Sequence, residues 1–274
     1  MKPSNEVPIV AYIAYGPFGT NYLKKFINSY TKFKSGEEHQ LLICFKGFAE
    51  FSNLNEWKKI INFKFIEFRE INEENDFDIG SYFRIAEKYE NRKILFLDTH
   101  TRMNCDNWLK IFLDNYKEKR LIGATGSFAS ISSQFLNFYY PQYTKFQQLR
   151  WGLHHLKKFK LFPNPHLRTT AFMITGSDLI NLDFDRTKFV KKIETNYFES
   201  GRKNLTYQLK KKGYEIGIVN SDNKFFKIKD WKLSNTYCLN DQSKLVFIDN
   251  RTEEYLFADT KQKLKMSKFC WGSN

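Results

Sequence analysis

Short apolar runs alternate with stretches of helical spacing over the first hundred residues. Four β-rich apolar runs predict strands, and they lie at residues 7–15, 40–45, 62–68 and 93–97. Leu23, Phe26 and Ile27 recur at helical spacing within residues 21–30, and a second helix is predicted at residues 81–90. This alternation predicts an α/β fold with a mostly parallel sheet and helices on both faces. Such sheets bind ligands at the edge where their strands end.

The second half of the chain continues the alternation less regularly. Further helices are predicted at residues 106–116, 142–160 and 202–212, and further strands at 120–124, 170–174 and 214–219. A length of 274 residues suits one large domain, so we expect a core at residues 1–220 and an extension at 221–274 packed on it. The GxGxxG and GxxxxGK[ST] phosphate loops are absent from the sequence, which argues against a standard dinucleotide or P-loop enzyme.

The composition indicates a chain that folds, because 42% of the residues are hydrophobic and 18% are aromatic. No apolar run approaches the roughly 18 residues of a membrane span. Residues 1–6 also lack the apolar core of a signal peptide, so we expect a cytoplasmic protein, either free or peripheral at the inner face of a membrane. The four cysteines are well separated and are expected to be reduced structural thiols.

The formal charge of +14 has two interpretations. It fits a polyanionic partner, and it also fits the Lys, Asn, Phe and Ile bias of an AT-rich genome. A nucleic-acid partner is not expected, because the sequence shows no base-stacking motif and no recognition helix.

The basic helix at residues 142–160 carries an apolar stripe of Phe146, Leu149, Leu153 and Leu156. That stripe fits contact with an anionic membrane, but we favour an ordinary surface helix with its stripe in the core.

Candidate chemistry begins where the run at residues 93–97 ends. The segment ILFLDTHTR delivers Asp98 and His100 to the expected edge of the sheet. Carboxylate oxygens suit a hard divalent cation and histidine also serves manganese, so these two residues are a candidate metal pair. The alternative is that Asp98 caps the following turn and His100 is an ordinary surface residue.

Two later segments add charged side chains. NPHLRTTAF presents His166 and Arg168 just before a strand, where Arg168 would clamp a diphosphate or act as a structural arginine. In YFESGRKNLTYQLKKKGYEI, Glu199 precedes an amphipathic helix. It would act as a base on an acceptor hydroxyl or favour the helix N-terminus electrostatically.

Three segments in this order resemble bacterial GT-A glycosyltransferases, loosely the inverting family-two type and more closely a polysaccharide-biosynthesis branch of it. IVAYIAYGPFGTNYLKKFINSY resembles their opening strand, nucleotide loop and first helix. FDIGSYFRIAEKYENRKILFLDTHTRMNCDNWL resembles the helix that leads into the DxD strand, with Asp98 at the first aspartate and His100 in place of the second. NYFESGRKNLTYQLKKKGYEIGIV resembles the ED-type segment, with Glu199 at the glutamate.

The resemblance implies an inverting, hexosyltransferase-like enzyme. It would move a sugar from a nucleotide-sugar donor to a glycan or lipid-linked acceptor in polysaccharide or surface-glycan synthesis. The implied donor-binding residues are Tyr12, Ala14, Tyr15, Asp78, Gly80, Ser81, Asp98, His166 and Arg168. Thr125 and Gly126 would line the acceptor side, and Glu199 would be the general base. Asp98 and His100 would hold a divalent cation, Mn²⁺ or Mg²⁺.

The sequence departs from the family pattern at three positions. His100 replaces an aspartate, Lys46 stands where the family often has an acidic residue, and Ser200 stands at the usual catalytic aspartate. A catalytically inactive module that binds nucleotides or sugars is therefore the alternative function, and a basic nucleic-acid-binding protein ranks below it.

Overall fold

The computed structural model describes residues 7–48, 54–70 and 76–272. Residues 1–6, on which the signal-peptide expectation rests, lie outside this part of the chain. The strands are β1 Ile9–Tyr15, β2 Gln40–Lys46, β3 Ile66–Glu70, β4 Lys93–Leu97, β5 Arg102–Met103, β6 Arg120–Gly123, β7 Gly126–Ser127, β8 His166–Leu167, β9 Ala171–Thr175, β10 Glu215–Val219, β11 Phe225–Lys227 and β12 Phe247–Ile248. The α-helices are α1 Thr20–Lys32, α2 Leu54–Lys59, α3 Phe77–Lys88, α4 Trp108–Asp114, α5 Ile131–Leu136, α6 Lys145–His155, α7 Gly176–Ile180, α8 Lys192–Ser200, α9 Leu205–Lys211, α10 Asn250–Phe257 and α11 Thr260–Trp271.

A central sheet organises the molecule. Within the described residues it has eight strands in the order β11-β10-β6-β9-β4-β1-β2-β3. β1 is parallel to both β2 and β4, β2 to β3, and β6 to β10, whereas β9 runs antiparallel to β4 and β6, and β11 is antiparallel to β10. The predicted α/β class with a mostly parallel sheet is therefore confirmed.

Both faces of the sheet are covered, as β1 illustrates. Its side chains alternate between two buried clusters, with Ile9, Ala11 and Ile13 in one and the intervening residues in the other. The first cluster contains side chains of α3 and α7 to α11, and the second contains those of α1, α2 and α4. Because both faces are buried, β1 is apolar along its whole length instead of alternating with polar residues.

Several predicted boundaries shift, and two of the shifts matter for the site. The helix expected at residues 81–90 begins at Phe77, so that Asp78, Gly80 and Ser81 belong to its first turns and not to a loop. The segment around Glu199, expected to precede a helix, is itself helical as α8. The third strand is also displaced, from the predicted residues 62–68 to Ile66–Glu70.

The preferred interpretation of the basic helix is wrong. In α6, Phe146, Leu149 and Leu153 are 74%, 45% and 54% exposed, whereas the buried residues of the helix are Gln148 and Gly152. Gly152 allows close packing, because a Cβ there would lie 2.7 Å from the side chain of Leu136 on α5. The helix packs inward through Gln148, Gly152 and the partly buried Trp151, and it leaves Phe146, Leu149 and Leu153 in solvent.

Residues after 220 join the same body. β11 extends the central sheet, β12 pairs with β5, and Trp231 and Trp271 are buried in the cluster that contains α3. The boundary at residue 220 stays a prediction. Among the described residues, no helix combines the length and apolarity needed to cross a bilayer.

Candidate active site

A cleft of about 950 Å³ opens where β4 ends. Five of the residues singled out from the sequence line it, namely Asp78, Asp98, His166, Arg168 and Glu199. The antiparallel pairing of β9 with β4 explains this convergence. Leu97 pairs with Ala171, and the Asp98 N–H donates to the Thr170 carbonyl at 3.0 Å, so the residues just before β9 lie beside those just after β4.

Asp98 lies at the base of the cleft and is fixed by local hydrogen bonds. Its Oδ1 accepts from the Thr101 hydroxyl at 2.6 Å and from the His100 backbone N–H at 3.0 Å. Burial raises the pKa of Asp98 well above its usual range, and the nearby carboxylates of Asp78 and Asp249 raise it further. Asp98 thus caps a turn, as the alternative interpretation expected, and its charged form is poorly compensated where it lines the cleft.

His100 does not line the cleft with Asp98. Its ring stacks on Phe18 with centroids 5.2 Å apart and meets the edge of Tyr22 at 4.6 Å. Its Nδ1 lies 3.1 Å from the side-chain amide nitrogen of Asn250, and burial lowers the pKa of the imidazole. These contacts position His100 as a packing residue at the start of α1.

The donor set for a cation is correspondingly small. Within residues 7–48, 54–70 and 76–272, no group of three or more His, Cys, Asp or Glu side chains is arranged to hold a metal ion. A hard cation such as Mg²⁺ is often held by one or two carboxylates together with substrate phosphates and water. Asp98 fits that partial role, with Asp78 as the other acidic residue of the cleft base.

Arg168 is fixed on three sides. Its Nη1 donates to Asp249 Oδ2 at 2.8 Å and to the Thr125 hydroxyl at 3.3 Å, and its guanidinium stacks on the Tyr237 ring at 3.8 Å. Burial alone would raise the pKa of Asp249, but the charge and hydrogen bond of Arg168 outweigh it and hold that pKa below its usual value. Within the described residues, only Nη1 of this guanidinium makes hydrogen bonds, which leaves its other N–H donors for a ligand.

Glu199 also lines the cleft, near the end of α8. Its Oε2 accepts from the Thr169 hydroxyl at 2.6 Å and from the Thr169 N–H at 3.3 Å. Asn204 caps α9 by accepting from the Tyr207 N–H, so an electrostatic effect of Glu199 on that helix stays a prediction. Thr169 therefore orients the Glu199 carboxylate toward the cleft.

His166 lies near Glu199, and its surroundings favour the neutral imidazole. Its Nδ1 lies 2.7 Å from the Asn164 carbonyl oxygen and donates to it, which leaves Nε2 as an acceptor. Burial lowers the pKa of His166, although the neighbouring Glu199 partly opposes this. His166 is therefore suited to accept a hydrogen bond, not to neutralise a phosphate.

Three predicted donor residues of β1 lie away from the cleft lining. Tyr12 and Ala14 are fully buried, and Tyr12 stacks on Phe26 at 3.8 Å and donates to the Thr99 carbonyl at 2.8 Å. Tyr15 is half-buried with its ring against Phe18, 4.9 Å between centroids. The side chains of Tyr12 and Ala14 cannot reach a ligand in this arrangement.

Gly80 and Ser81 have structural surroundings instead of a ligand surface. A Cβ at Gly80 would overlap the Asp76 carboxylate, so this glycine makes room for Asp76. Ser81 is buried, donates to Glu70 at 2.7 Å and accepts from Lys46 at 3.1 Å.

Thr125 and Gly126 are likewise buried and outside the cleft lining. A Cβ at Gly126 would lie 2.6 Å from the Trp231 ring. Gly126 therefore makes room for the Trp231 indole, and the acceptor role of Thr125 and Gly126 stays a prediction.

Lys46, Glu70, Asp76 and Arg84 form what we call the closed ionic cluster, beside the cleft. Lys46 pairs with Asp76 and lies 3.2 Å from Glu70, while Arg84 contacts Asp76 at 2.6 Å and Glu70 at 2.8 Å. Burial alone would raise the pKa of both carboxyls, but hydrogen bonds and charge from Arg84 and Lys46 hold the pKa of each below its usual value. Lys46 is committed to this cluster.

The extension supplies site residues that sequence reasoning missed. Asp249, Tyr237 and Arg251 come from beyond residue 220, and Lys192 stands at the rim on α8. The aspartate and the threonine three residues later do signal a helix start, and both halves of that capping box are present in α10. That local signal contains no information about Arg168, which is 81 positions away in sequence.

Comparison with known proteins gives a loose structural likeness. No family model and no curated protein matches the sequence. The galactosyltransferase LgtC, solved with donor and acceptor sugar analogues, matches with a TM-score of 0.44 and 11% identity over 78% of this chain and 73% of that one. HddC from Yersinia pseudotuberculosis matches with a TM-score of 0.40 and 11% identity over 71% of this chain and 88% of that one. Mouse xyloside xylosyltransferase 1 matches with a TM-score of 0.39 and 10% identity over 72% of this chain and 78% of that one. At these values the likeness carries no argument about function.

Proposed function

We propose that this chain is a glycosyltransferase that binds a nucleotide-sugar donor in the cleft and transfers its sugar to a glycan or lipid-linked acceptor. One observation carries the proposal. The poorly compensated carboxylate of Asp98 and the pre-fixed guanidinium of Arg168 lie together at the edge of a mostly parallel sheet, in the same cleft as the carboxylate of Glu199 that Thr169 binds. The resemblance of the segments around Asp98 and Glu199 to GT-A glycosyltransferases supports the same conclusion.

The charges of the cleft suit a diphosphate leaving group. The free N–H groups of Arg168 would donate to phosphate oxygens, and Lys192 at the rim would add a second positive charge. A divalent cation, Mn²⁺ or Mg²⁺, would neutralise the diphosphate and the cleft base together, and Asp98 is the residue that would hold it. Two residues from beyond position 220 keep Arg168 in place. Asp249 accepts a hydrogen bond from its guanidinium, and the Tyr237 ring stacks on it.

Glu199 is proposed as the general base of an inverting transfer. Thr169 binds its Oε2, and within the described residues no hydrogen bond reaches Oε1, which would accept the proton of the acceptor hydroxyl. Ser200, at the usual position of the base, has its hydroxyl donating to the Asn196 carbonyl at 3.1 Å. Ser200 therefore does not substitute for a carboxylate.

Isothermal titration calorimetry with a panel of nucleotide sugars, each with and without Mn²⁺, tests the donor site. The expected result is cation-dependent binding of one nucleotide class, followed by sugar transfer or slow hydrolysis of that donor. Binding without any turnover would favour the inactive module. Binding of none of the nucleotides, with the chain shown to be folded, would contradict the proposal.

A further inference from the structure

The α5–α6 hairpin exposes an apolar stripe that the fold does not use. Phe146, Leu149 and Leu153 recur at helical spacing on the outer face of α6. An ordinary surface helix turns such residues inward, and this one does the reverse. These three large apolar side chains stay in water, so the helix lacks the hydrophobic free energy that usually stabilises its packing on the domain.

The inner face of α6 shows that this orientation is built in. Gln148 is buried and its amide is satisfied on both ends, since Oε1 accepts from the Tyr140 N–H at 3.1 Å and Nε2 donates to the Tyr143 carbonyl at 3.0 Å. Gly152 packs against Leu136 too closely to admit a side chain. Rotating the helix to bury its stripe would break both hydrogen bonds and push Leu149 or Leu153 into the space that only a glycine fits.

The charge around the stripe points to an anionic surface. No Asp or Glu occurs between Glu118 and Asp178, whereas Lys145, Arg150 and Lys157 are exposed on or just after α6. Within the described residues, none of these three cations has a salt-bridge partner. Apolar residues flanked by unpaired lysine and arginine are typical of helices that lie in the plane of an anionic membrane, with the basic side chains reaching the headgroups.

We infer that α6 docks this protein on an anionic lipid bilayer, with Phe146, Leu149 and Leu153 entering the interface and Lys145, Arg150 and Lys157 contacting lipid phosphates. This inference does not rest on the proposed function, since docking requires no donor. It has a consequence for that function. Phe135 and Tyr143 of the same hairpin line the cleft, so docking would bring the cleft close to the lipid surface and would suit a lipid-linked acceptor.

Flotation of the full chain with vesicles tests the inference. The probe is phosphatidylcholine containing about 30 mol % phosphatidylglycerol at low salt, compared with phosphatidylcholine alone. We expect binding to the anionic vesicles that added salt weakens, and little binding to the neutral ones. Failure to bind the anionic vesicles, or equal binding to both, would overturn the inference.

Two variants separate the apolar and basic contributions. The triple change Phe146→Ser, Leu149→Ser and Leu153→Ser should weaken vesicle binding on the order of a hundredfold. The triple change Lys145→Gln, Arg150→Gln and Lys157→Gln should weaken it by a similar factor, because each basic residue near an anionic surface adds about fivefold. All six side chains are exposed, so both variants should fold, and melting curves that match the wild type would confirm this. If the triple serine variant melts at a lower temperature, the single change Phe146→Ser replaces it in the vesicle-binding test.

Matched controls come from residues 224–233. Leu233 is 73% exposed, close to the 74% of Phe146, and Lys224, Lys229 and Lys232 are exposed lysines. Leu233→Ser and the triple lysine-to-glutamine change there should leave binding within about twofold, as non-contacting positions do. If the control lysines mattered as much as those of α6, diffuse charge would explain the binding and the inference would fail. Sedimentation of the free protein tests whether the stripe instead contacts a second copy. A dimer that becomes a monomer only in the variant with Phe146, Leu149 and Leu153 changed to Ser would assign the stripe to that contact and overturn the inference.

Discussion

Asp76 and Asp78 lie two residues apart at the start of α3, yet their environments shift the pKa values of the two carboxyls in opposite directions. The pKa of Asp76 lies below its usual value, whereas burial raises the pKa of Asp78 despite the nearby charges of Lys46 and Lys192. Asp76 belongs to the closed ionic cluster, in which each carboxylate has cationic partners. Asp78 lines the cleft, and within the described residues no salt bridge pairs its carboxylate with a cation.

This contrast separates a structural ionic group from a functional one. In the closed cluster, hydrogen bonds from Lys46 and Arg84 satisfy Glu70 and Asp76, and no charge remains for a ligand. In the cleft, Asp98 keeps its charge only at an energetic cost, which a bound cation would relieve. Substitutions in the first region should therefore alter stability, and substitutions in the second should alter binding or turnover.

The largest expected effect is on turnover, from Glu199→Gln. General-base loss typically costs about 10²- to 10⁴-fold in rate, while donor affinity and folding stay nearly unchanged. The measurement is kcat with the true acceptor, beside donor affinity from calorimetry. Glu254→Gln is the matched control, because Glu254 lines the same cleft but pairs with Arg251 at the surface. A loss below about fivefold in Glu199→Gln would contradict the base assignment.

The next effect is on stability, from Lys46→Met. Among the described residues, removing this buried cation leaves Glu70 and Asp76 with Arg84 as their cationic partner, and breaking a buried ion pair costs about 3–5 kcal/mol. Urea unfolding should show the loss, and Lys64→Met, at an exposed lysine, should change stability by no more than about 0.5 kcal/mol. A loss under about 1 kcal/mol for Lys46→Met would show that the closed cluster is not structural.

A smaller effect is expected on donor affinity, from Asp98→Asn. The neutral amide is a poorer ligand for a hard cation, so we expect donor affinity in the presence of Mn²⁺ to fall at least about 10- to 100-fold, the loss that removing even an outer-shell partner of a metal ligand causes. Calorimetry with the donor and Mn²⁺ measures it, and chelation of the cation should bring the wild-type protein to the same affinity. Asp222→Asn, at an exposed carboxylate paired with Lys244, should bind as the wild type does. Equal affinity in Asp98→Asn would remove Asp98 from the cation site.

The smallest effect is the pH dependence that the closed cluster adds to stability. The pKa values of Glu70 and Asp76 are lowered in the folded protein, so their contribution is present above the unfolded carboxyl pKa of about 4 and is lost as the pH falls below it. Thermal melting from neutral to acid pH should therefore show a steeper decline in the wild type than in Lys46→Met. Parallel declines would mean that Lys46 does not lower these pKa values.

Much of the α/β core was predictable because its signals are local. The buried runs of β1, β2 and β4 and the helical spacing of α1 identify their elements without knowledge of partners. The sequence also identifies Asp98 as a residue at a strand end, and its neighbours then set the turn that binds its Oδ1.

Only the tertiary structure decided which charges meet. The antiparallel pairing of β9 brings Arg168 beside Asp98, and Asp249 joins them from 81 positions further on. Neither contact leaves a periodic trace, because pairing partners distant in sequence are selected by packing of the whole chain.

The same limit applies to α6. Its spacing showed that Phe146, Leu149 and Leu153 share one face, which is a local property of a helix. Periodicity does not say which face turns inward, because that depends on the surface the helix packs against. Here the close approach at Gly152 and the satisfied amide of Gln148 settled it, and the apolar face remained in solvent.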